Sequence, residues 1–300
     1  MNARQERLDA HKDTIGQSRN TYIYVEAHEN RRRTAQGTNM DPIPPRPASS
    51  FSMGPRATAW EGDWGDILTH LFMANKGAAY VVLNMANAYS PGGGPGCAAQ
   101  EENMHQRSTA SVEYGLEEGL EMSVERLLYP PEYRKPLGET AHIRERPRCL
   151  FKGAIVYLDD GMIDVAHSFK RIRAVPFYEL RSAAVDTRAI HRGYVDFGVS
   201  GSVRQRFDWV SYRASMARRI RAQFETCIRA GHQYVLLSAF GCGAFLHKSI
   251  EAEASVMVCE LYMDAIKDYA LHFERIDFAI HRNGYSQDNF VVWRGRAARM

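Results

Sequence analysis

The stretch that decides the fold is AAYVVLNMANAYSPGGG, residues 78–94. Its first part, residues 78–84, is a nearly continuous apolar run, which is typical of a central β-strand covered on both faces. Three consecutive glycines, Gly92, Gly93 and Gly94, follow that strand. In open α/β sheets, ligands bind beyond the carboxyl ends of the strands. The stretch therefore predicts both a central strand and a ligand-binding loop.

The glycine run suits an anionic ligand. Glycine has no side chain, so successive backbone N–H groups stay uncovered and form a concavity that binds anions. A helix predicted to begin near Gln100 adds the positive end of its dipole. A flexible turn is the alternative for the three glycines alone. The ligand expected against Gly92 to Gly94 is a diphosphate or a similar anion.

Two adjacent carboxylates open the helix that follows the glycines, at Glu101 and Glu102 directly after Gln100. Acidic side chains in a first helical turn commonly do no more than compensate the helix dipole. Neither the glycines nor the acid pair decides the function alone. Together, directly after a buried strand, they favour a ligand site with acid–base chemistry.

The rest of the chain alternates between strand and helix patterns. Helices are predicted over residues 4–14, 60–74 and 208–230 and after a capping Ser249; strands are predicted over residues 21–25, 78–84, 154–158, 172–177, 234–239 and 276–280. This alternation is typical of an α/β domain with a largely parallel sheet. In residues 29–56, regular structure is interrupted by Pro42, Pro44, Pro45 and Pro47, which predicts a connector. We expect a single domain, in which residues 1–58 (helix, strand and Pro-rich connector) pack on a core of residues 59–300.

Composition excludes several classes of protein. The formal net charge is +3, which does not by itself indicate nucleic acid. The five cysteines are widely spaced without a CxxC pair, and the eleven histidines form no HxxxH or HExxH pattern, so neither a disulfide framework nor a metal site is predicted. No apolar run approaches the ~20 residues of a membrane span. We expect a cytoplasmic protein, or a nuclear one in a eukaryote, with export as an effector left open.

Arginines are clustered in three places: Arg31 to Arg33, Arg144 with Arg146 and Arg148, and Arg218 with Arg219 and Arg221. A solvated helix face or a loose tail is the interpretation favoured for such clusters. The alternative is contact with a polyanionic partner.

The pattern NxANAxSPGGG…QEE, from Asn84 to Glu102, resembles the signature of the poly(ADP-ribose) glycohydrolase family, in particular its bacterial and fungal branch. Arg107 to Thr109 follow the acid pair as in that branch. Residues 237–245, LSAFGCGAF, are similar to the family's second glycine-rich loop, and residues 278–280 to its last core strand. The resemblance extends over residues 4–293. One departure is that five residues separate GGG from QEE, fewer than is usual in the family.

The resemblance implies a macrodomain-like three-layer α/β/α fold with a mixed, largely parallel central sheet. It implies an enzyme that cleaves the ribose–ribose O-glycosidic bonds of poly(ADP-ribose) and releases ADP-ribose, without a metal or a cofactor. Glu102 would be the catalytic acid, with its pKa raised by the neighbouring carboxylate, and Glu101 would hold ribose hydroxyls. The implied substrate-binding residues are Asn87, Gly92, Gly93, Gly94, Gln100, Gly241, Cys242, Gly243, Ala244 and Phe245.

Several residues near these motifs have two interpretations. We interpret Cys242 as a small packing residue rather than a nucleophile. Phe245 either packs against the terminal ribose or belongs to the core. His105 and Gln106 are expected at the surface, with support of the acid pair as the alternative. Candidates for an adenine slot, or equally for core packing, are Tyr285, Phe290 and Trp293.

Other functions remain open at the level of sequence. The same loops would serve a hydrolase that removes single ADP-ribose units from protein or nucleic acid, or a module that binds ADP-ribose without cleaving it. The glycine loop lacks the GxGxxG and GxxxxGK[ST] patterns, which argues against other nucleotide-binding α/β folds. The expected partners are ADP-ribose, poly(ADP-ribose) and ADP-ribosylated proteins; membranes and direct nucleic-acid binding are not indicated.

Overall fold

A computed structural model describes residues 5–10, 13–14, 57–75, 78–88, 99–111, 138–144, 147–156, 158, 164, 166–187, 207–281 and 289–297. Residues 5–10 and 13–14 are helical. The strands in the described ranges are β1 (Ala57–Glu61), β2 (Tyr80–Met85), β3 (Ala141–Ile143), β4 (Arg148–Lys152), β5 (Arg171–Ser182), β6 (Tyr234–Leu237) and β7 (Arg275–Ile280). The longer helices are α1 (Trp64–Ala74), α2 (Gln100–Arg107), α3 (Trp209–Arg229), α4 (Glu251–Tyr269) and α5 (Asn289–Ala297).

The strands form one mixed sheet in the order β1-β7-β6-β2-β5-β3, with β4 paired to β5 outside that path. The pairs β1–β7, β7–β6, β6–β2 and β2–β5 are all parallel. Strands β3 and β4 pair antiparallel with β5. The predicted mixed, largely parallel sheet is therefore confirmed, and the carboxyl ends of β2, β5, β6 and β7 meet at one edge.

Strand β2 lies in the middle of the sheet and is buried on both faces. Val81 and Leu83 point into a core cluster with α3 and α4, whereas Tyr80 and Val82 point into a second cluster with α1. A strand that needs apolar side chains on both faces reads as a continuous apolar run. The run at residues 78–84 predicted this position correctly.

Helices cover both faces of the sheet. Helix α3 buries Met216, Ile220 and Phe224 against one face, together with residues of α4 and α5. Helix α1 and Met104 of α2 cover the opposite face. The three-layer α/β/α architecture is thus confirmed.

Two predicted elements begin elsewhere. Trp60 belongs to β1, and the helix begins at Trp64 because the Asp63 carboxylate caps it by accepting from two backbone N–H groups. Helix α4 begins at Glu251, after a 3-10 turn over Lys248–Ile250 that His247 caps, so the prediction of Ser249 as the cap is wrong.

The strand predicted over residues 154–158 is also wrong. Among these residues, 154–156 and 158 lie outside any strand, and the strand β4 ends at Lys152. The predicted strand over residues 21–25 and the connector over residues 29–56 lie outside the described residues. Their packing as an N-terminal unit stays a prediction. In the described part of the chain, no helix has both the length and the apolarity to cross a membrane.

Candidate active site

The candidate site lies at the edge where the parallel strands end. Asn87 follows β2, residues 183–187 follow β5, and residues 238–247 follow β6. Helix α2, which carries the acid pair, packs against β2. The predicted residues Asn87, Gln100 and the acid pair are therefore brought together. Gly92, Gly93 and Gly94 lie outside the described residues, so their role stays a prediction.

Gln100 fastens the start of α2 to the central strand. Its Nε2 donates to the backbone oxygen of Leu83 at 2.7 Å, and its Oε1 accepts from the backbone N–H of Met85 at 2.8 Å. The ladder between β2 and β6 has its last pair at Val82. Beyond that pair, the side-chain amide of Gln100 binds β2 as the backbone of a neighbouring strand would. It fixes the helix start relative to the strand end.

The two glutamates are both buried. Glu101 is 2% exposed and Glu102 8% exposed. Glu101 Oε2 accepts a hydrogen bond from the backbone N–H of Asn87 at 2.9 Å, directly where the chain leaves β2. Carboxylates that only compensate a helix dipole do not need burial, and burial of a charge is costly unless it is paired or hydrogen-bonded. This placement favours a functional acid pair.

Arg107 holds the other end of α2. Its fully buried guanidinium donates from Nη1 to Asp63 Oδ1 at 2.6 Å and to Asn103 Oδ1 at 2.8 Å. Its Nε donates to the backbone oxygen of Lys152 at 3.1 Å. The guanidinium also lies over the Trp64 ring, with Cζ 5.3 Å from the ring centroid. Helix α2 is thereby tied to the N-terminus of α1 and to β4.

The N-terminal segment contacts the same helix. The buried Thr14 hydroxyl donates to the backbone oxygen of Gln106, one of the carbonyls at the end of α2. Lys152 Nζ donates to the backbone oxygen of Ala10 at 3.0 Å and pairs with the Asp13 carboxylate. Thr14 therefore contacts the acid-bearing helix, and Ala10 and Asp13 contact the neighbouring strand β4.

A buried charged cluster lies behind the end of β2. Its centre is Glu179 of β5, whose carboxylate accepts a hydrogen bond from Asn84 Nδ2 at 2.7 Å. Glu179 Oε2 lies 3.6 Å from Arg144 Nε and 3.4 Å from Arg148 Nε. Burial acts to raise the pKa of Glu179, but the guanidinium groups of Arg144 and Arg148, with a smaller contribution from His105, outweigh it and hold the pKa at about 2. The carboxylate is ionised and helps to orient the residues around the strand end.

Two expectations from sequence are wrong here. His105 and Gln106 were expected at the surface, yet they are 2% and 0% exposed. They lie on the side of α2 that packs inward. Arg144 and Arg148 were interpreted as a solvated or loose cluster, yet both are buried beside Glu179. For the two arginines the cause is a partner distant in sequence, Glu179, which neutralises charges that would otherwise face water.

The other two arginine clusters differ. Arg218 and Arg221 are exposed and form ion pairs with Glu139 and Asp268, which agrees with a solvated face. Arg219 is buried and donates to the backbone oxygens of Gly138 and Ala183. The cluster at residues 31–33 lies outside the described residues.

The loop after β6 has a buried base and an open tip. Gly241 adopts a φ of +75°, in the left-handed region, and a Cβ there would come within 2.9 Å of the Ala184 Cβ. Glycine is therefore required both by conformation and by space. Around Gly243 there is open space, Ala244 is exposed and Phe245 is half-buried. The tip of the predicted second loop thus faces outward at the same edge as the acid pair.

Cys242 lies in the base of this loop. It is 3% exposed, and burial raises the pKa of its thiol to about 12. A thiol with such a pKa stays protonated near neutral pH and is a poor nucleophile. Its interpretation as a packing residue is confirmed. Its backbone oxygen accepts from Asn289 Nδ2 at 3.1 Å, which ties the loop to α5.

The aromatic candidates for an adenine slot belong to the core. Phe290 is 8% exposed and Trp293 is fully buried. The Trp293 ring lies 4.7 Å from the Phe278 ring and 5.2 Å from the Tyr262 ring, centroid to centroid. Core packing is therefore the correct interpretation for both residues. Tyr285 lies outside the described residues.

Within the described ranges, no three His, Cys, Asp or Glu side chains are grouped so as to hold a metal ion. The site instead offers carboxylates, backbone groups and an open loop tip. A largely parallel sheet between two helical layers, with a buried glutamate pair beside the end of its central strand, agrees with the macrodomain-like fold that the sequence resemblance implies.

Comparison with known proteins gives a family match over the N-terminal part of the chain. Residues 2–114 match the family model described as the microbial-type PARG catalytic domain, PARG being poly(ADP-ribose) glycohydrolase. The resemblance predicted from Asn84 to Glu102 is confirmed, since that motif lies inside the matched segment. Curated protein sequences give no match.

Solved structures show the same fold over most of the chain. Poly(ADP-ribose) glycohydrolase from Thermomonospora curvata is 20% identical, with 84% of this chain and 79% of that chain covered and a TM-score of 0.53. The enzyme from Deinococcus radiodurans in complex with ADP-ribose is 18% identical, with 83% and 86% covered and a TM-score of 0.50. The T. curvata enzyme bound to the inhibitor ADP-HPD is similar at 20% identity, with 81% and 79% covered and a TM-score of 0.52.

Proposed function

We propose that this protein is a poly(ADP-ribose) glycohydrolase, which hydrolyses ribose–ribose bonds and releases ADP-ribose. The observation that carries the proposal is the buried acid pair at the start of α2, where Glu101 accepts from the Asn87 N–H at 2.9 Å. This contact brings two carboxyl groups to the end of the central strand, beside the chain that enters the glycine loop. The family match over residues 2–114 and the fold shared with ADP-ribose-bound relatives support it.

The proposed chemistry follows from what glycosidic cleavage requires. The bond breaks through a transition state in which the sugar has oxocarbenium character. The leaving oxygen therefore needs a proton, and the sugar carbon needs a water molecule to add to it. Glu102 donates its proton to the leaving ribose oxygen as the bond breaks. The resulting Glu102 carboxylate takes a proton from the water that adds to the sugar carbon, which restores the acid. The balance is one water consumed for each bond cleaved.

Glu101 has a different part in this scheme. Its Oε2 is engaged by the Asn87 backbone, which fixes the direction of the carboxylate. A carboxylate fixed in this way can accept hydrogen bonds from ribose hydroxyls while Glu102 moves the proton. Gln100 takes part by holding the helix start on β2 rather than by moving a proton. The outward tip of the second loop, Gly243 to Phe245, supplies the opposite wall for the diphosphate and the terminal ribose.

The decisive experiment is product analysis from poly(ADP-ribose) with the wild type and Glu102→Gln. We expect free ADP-ribose from the wild type and a rate lower by about 10²–10⁴-fold in the variant, the size typical of losing one general acid. ADP-ribose affinity, measured by calorimetry, should persist in the variant. Glu253→Gln is the control, because Glu253 also lies in the first turn of a helix but is exposed. Equal polymer turnover by wild type and Glu102→Gln would rule out the proposed acid.

The same assay separates the alternative functions. A hydrolase of single ADP-ribose units would release product from mono-modified protein and leave the polymer intact. A binding module would bind ADP-ribose and release nothing from either substrate. The short spacing of five residues between GGG and QEE is the feature that favours the binding module, since it alters the reach from the glycines to the carboxylates.

A further inference from the structure

Thr187 lies five residues beyond the end of β5 and is fully buried. It makes three hydrogen bonds to the loop between β6 and α4. Its backbone N–H donates to the Phe245 oxygen at 2.9 Å, and its Oγ1 donates to the same oxygen at 3.1 Å. Its Oγ1 also accepts from the His247 N–H at 2.8 Å. One threonine therefore binds both a backbone oxygen and a backbone N–H of the second loop.

The rest of that loop is held mainly at its base. The backbone N–H of Cys242 donates to the backbone oxygen of Ala239, and the side-chain Nδ2 of Asn289 donates to the backbone oxygen of Cys242. Beyond Cys242, the Leu246 N–H donates to the Gly243 oxygen at 2.9 Å, which closes the tip upon itself. A tip closed upon itself still needs a contact to the body of the protein, and Thr187 makes that contact on its C-terminal side.

We propose that Thr187 is a positioning residue, whose hydroxyl sets the place of the loop tip at Gly243 to Phe245 and thereby the affinity for ADP-ribose. The inference rests on the proposed function, in which this tip forms one wall of the ADP-ribose site. Thr187 itself is fully buried, so its effect on the site is indirect. It acts through the Phe245 carbonyl and the His247 amide, and so joins the exit of β5 to the exit of β6.

The hydroxyl can be tested without changing the shape of the residue. Thr187→Val keeps the branched side chain and the backbone N–H bond but leaves the His247 N–H without its acceptor. Thr187→Ser keeps the hydroxyl. Thr226→Val is the matched control, because Thr226 also makes one long-range hydroxyl bond, to the Ala141 oxygen at 3.2 Å, on a helix away from the loop. Thr187→Ala also removes the hydroxyl but does not put a methyl group in its place. If the Thr187→Val protein does not fold, the same result is expected from Thr187→Ala.

The measurements are ADP-ribose affinity by calorimetry, KM and kcat on poly(ADP-ribose), and thermal unfolding. We expect Thr187→Val to raise Kd and KM by about tenfold, the size of one buried hydrogen-bonding group, with a much smaller change in kcat because the acid pair on α2 is untouched. Thr187→Ser should bind like the wild type. Thr226→Val should lower thermal stability without changing Kd, KM or kcat.

The failures are distinguishable. Wild-type affinity in both Thr187→Val and Thr187→Ala, while the wild type binds ADP-ribose, overturns the positioning role alone. Equal losses of affinity in Thr187→Val and Thr226→Val also overturn it, since the effect would then be one of general stability. A wild type that neither binds ADP-ribose nor hydrolyses the polymer overturns the proposed function and the inference together.

Discussion

The two sides of the candidate site are held in different ways. Helix α2, on the acid side, is fixed by side chains: Gln100 to the strand, Arg107 to the cap of α1 and Thr14 to its last turn. The loop after β6 is fixed mainly through its backbone, with Thr187 joining it to the exit of β5. Groups that transfer protons require fixed geometry, whereas a wall that covers a ligand tolerates more movement. We expect the acid side to respond to substitution mainly in stability and kcat, and the loop mainly in affinity.

The largest effect is expected from Arg107→Met. The variant keeps an apolar side chain over Trp64 but removes the guanidinium and leaves Asp63 without its buried partner. Breaking a buried ion pair from one side costs about 3–5 kcal/mol. Arg221→Met is the control, because the Arg221–Asp268 pair is just as short, 2.6 Å, but both side chains are about half exposed. It should cost at most about 1 kcal/mol. Similar losses of unfolding free energy in Arg107→Met and Arg221→Met, measured by urea denaturation, would contradict the role of Arg107.

The second expectation concerns pH and Glu179. Its folded pKa of about 2 lies below its ordinary value of 4.5, so its stabilisation is fully present above pH 4.5 and is lost as the pH falls towards 2. That difference corresponds to about 3 kcal/mol. Urea denaturation of the wild type at several pH values between 2 and 7 should show the loss, and Glu179→Gln should flatten it.

The control for that pH series is Glu139. Its pKa is also about 2, chiefly because Arg218 donates a hydrogen bond to it, but its side chain is 39% exposed. Solvent screens such a pair, so Glu139→Gln should leave most of the pH dependence intact. A flatter curve in Glu139→Gln than in Glu179→Gln would show that burial does not decide the contribution.

A smaller effect is expected from Gly241→Ala in the loop. A left-handed φ costs a non-glycine residue about 1–2 kcal/mol, and the close approach to Ala184 adds to this, for a total of about 2–3 kcal/mol. Gly231→Ala separates the two causes. Gly231 has nearly the same φ, +73°, but a Cβ there meets nothing within 4 Å. It should lose about 1 kcal/mol and leave ADP-ribose binding unchanged. Thermal unfolding measures the loss of stability in both variants, and calorimetry measures their ADP-ribose binding.

The smallest loss of stability is expected from Gln100→Met. The variant keeps the length of the side chain but removes the bonds to Leu83 and Met85, for about 1–2 kcal/mol. Its kcat on the polymer should fall more than its ADP-ribose affinity, because the helix start carries the acid pair. Gln5→Met is the control, since Gln5 is exposed and its Nε2 donates to the Asp9 carboxylate within the same helix turn, at 2.9 Å. An affinity loss without a change in kcat would assign Gln100 to substrate binding instead.

The parts of the fold that sequence predicted are those with strong local patterns. The run at residues 78–84 and the four-residue spacing of Met216, Ile220 and Phe224 each reflect burial that is regular along the chain. Strand β4 was not predicted because its terminal residues, Arg148 and Lys152, are charged and yet buried. Their partners, Glu179 and Asp13, lie far away in sequence, so no local pattern marks them.

The site shows the same division. Glycines and paired glutamates form a short motif that can be recognised locally. His105 and Arg144 cannot be assigned to the site from spacing, because their burial depends on Glu179 of another strand. The available signal was Glu179 itself, a single carboxylate in the otherwise apolar run of residues 175–180. A charge in a strand covered on both faces implies buried partners of opposite sign.

The bonds of the N-terminal helix have a consequence for the order of folding. Thr14 meets Gln106 across 92 positions of sequence, and Lys152 meets Ala10 across 142. During synthesis the first residues leave the ribosome long before these partners exist. Ala10, Asp13 and Thr14 therefore acquire these contacts only after β4 has been made, and the closing of this long chain loop is expected to be a late and slow event.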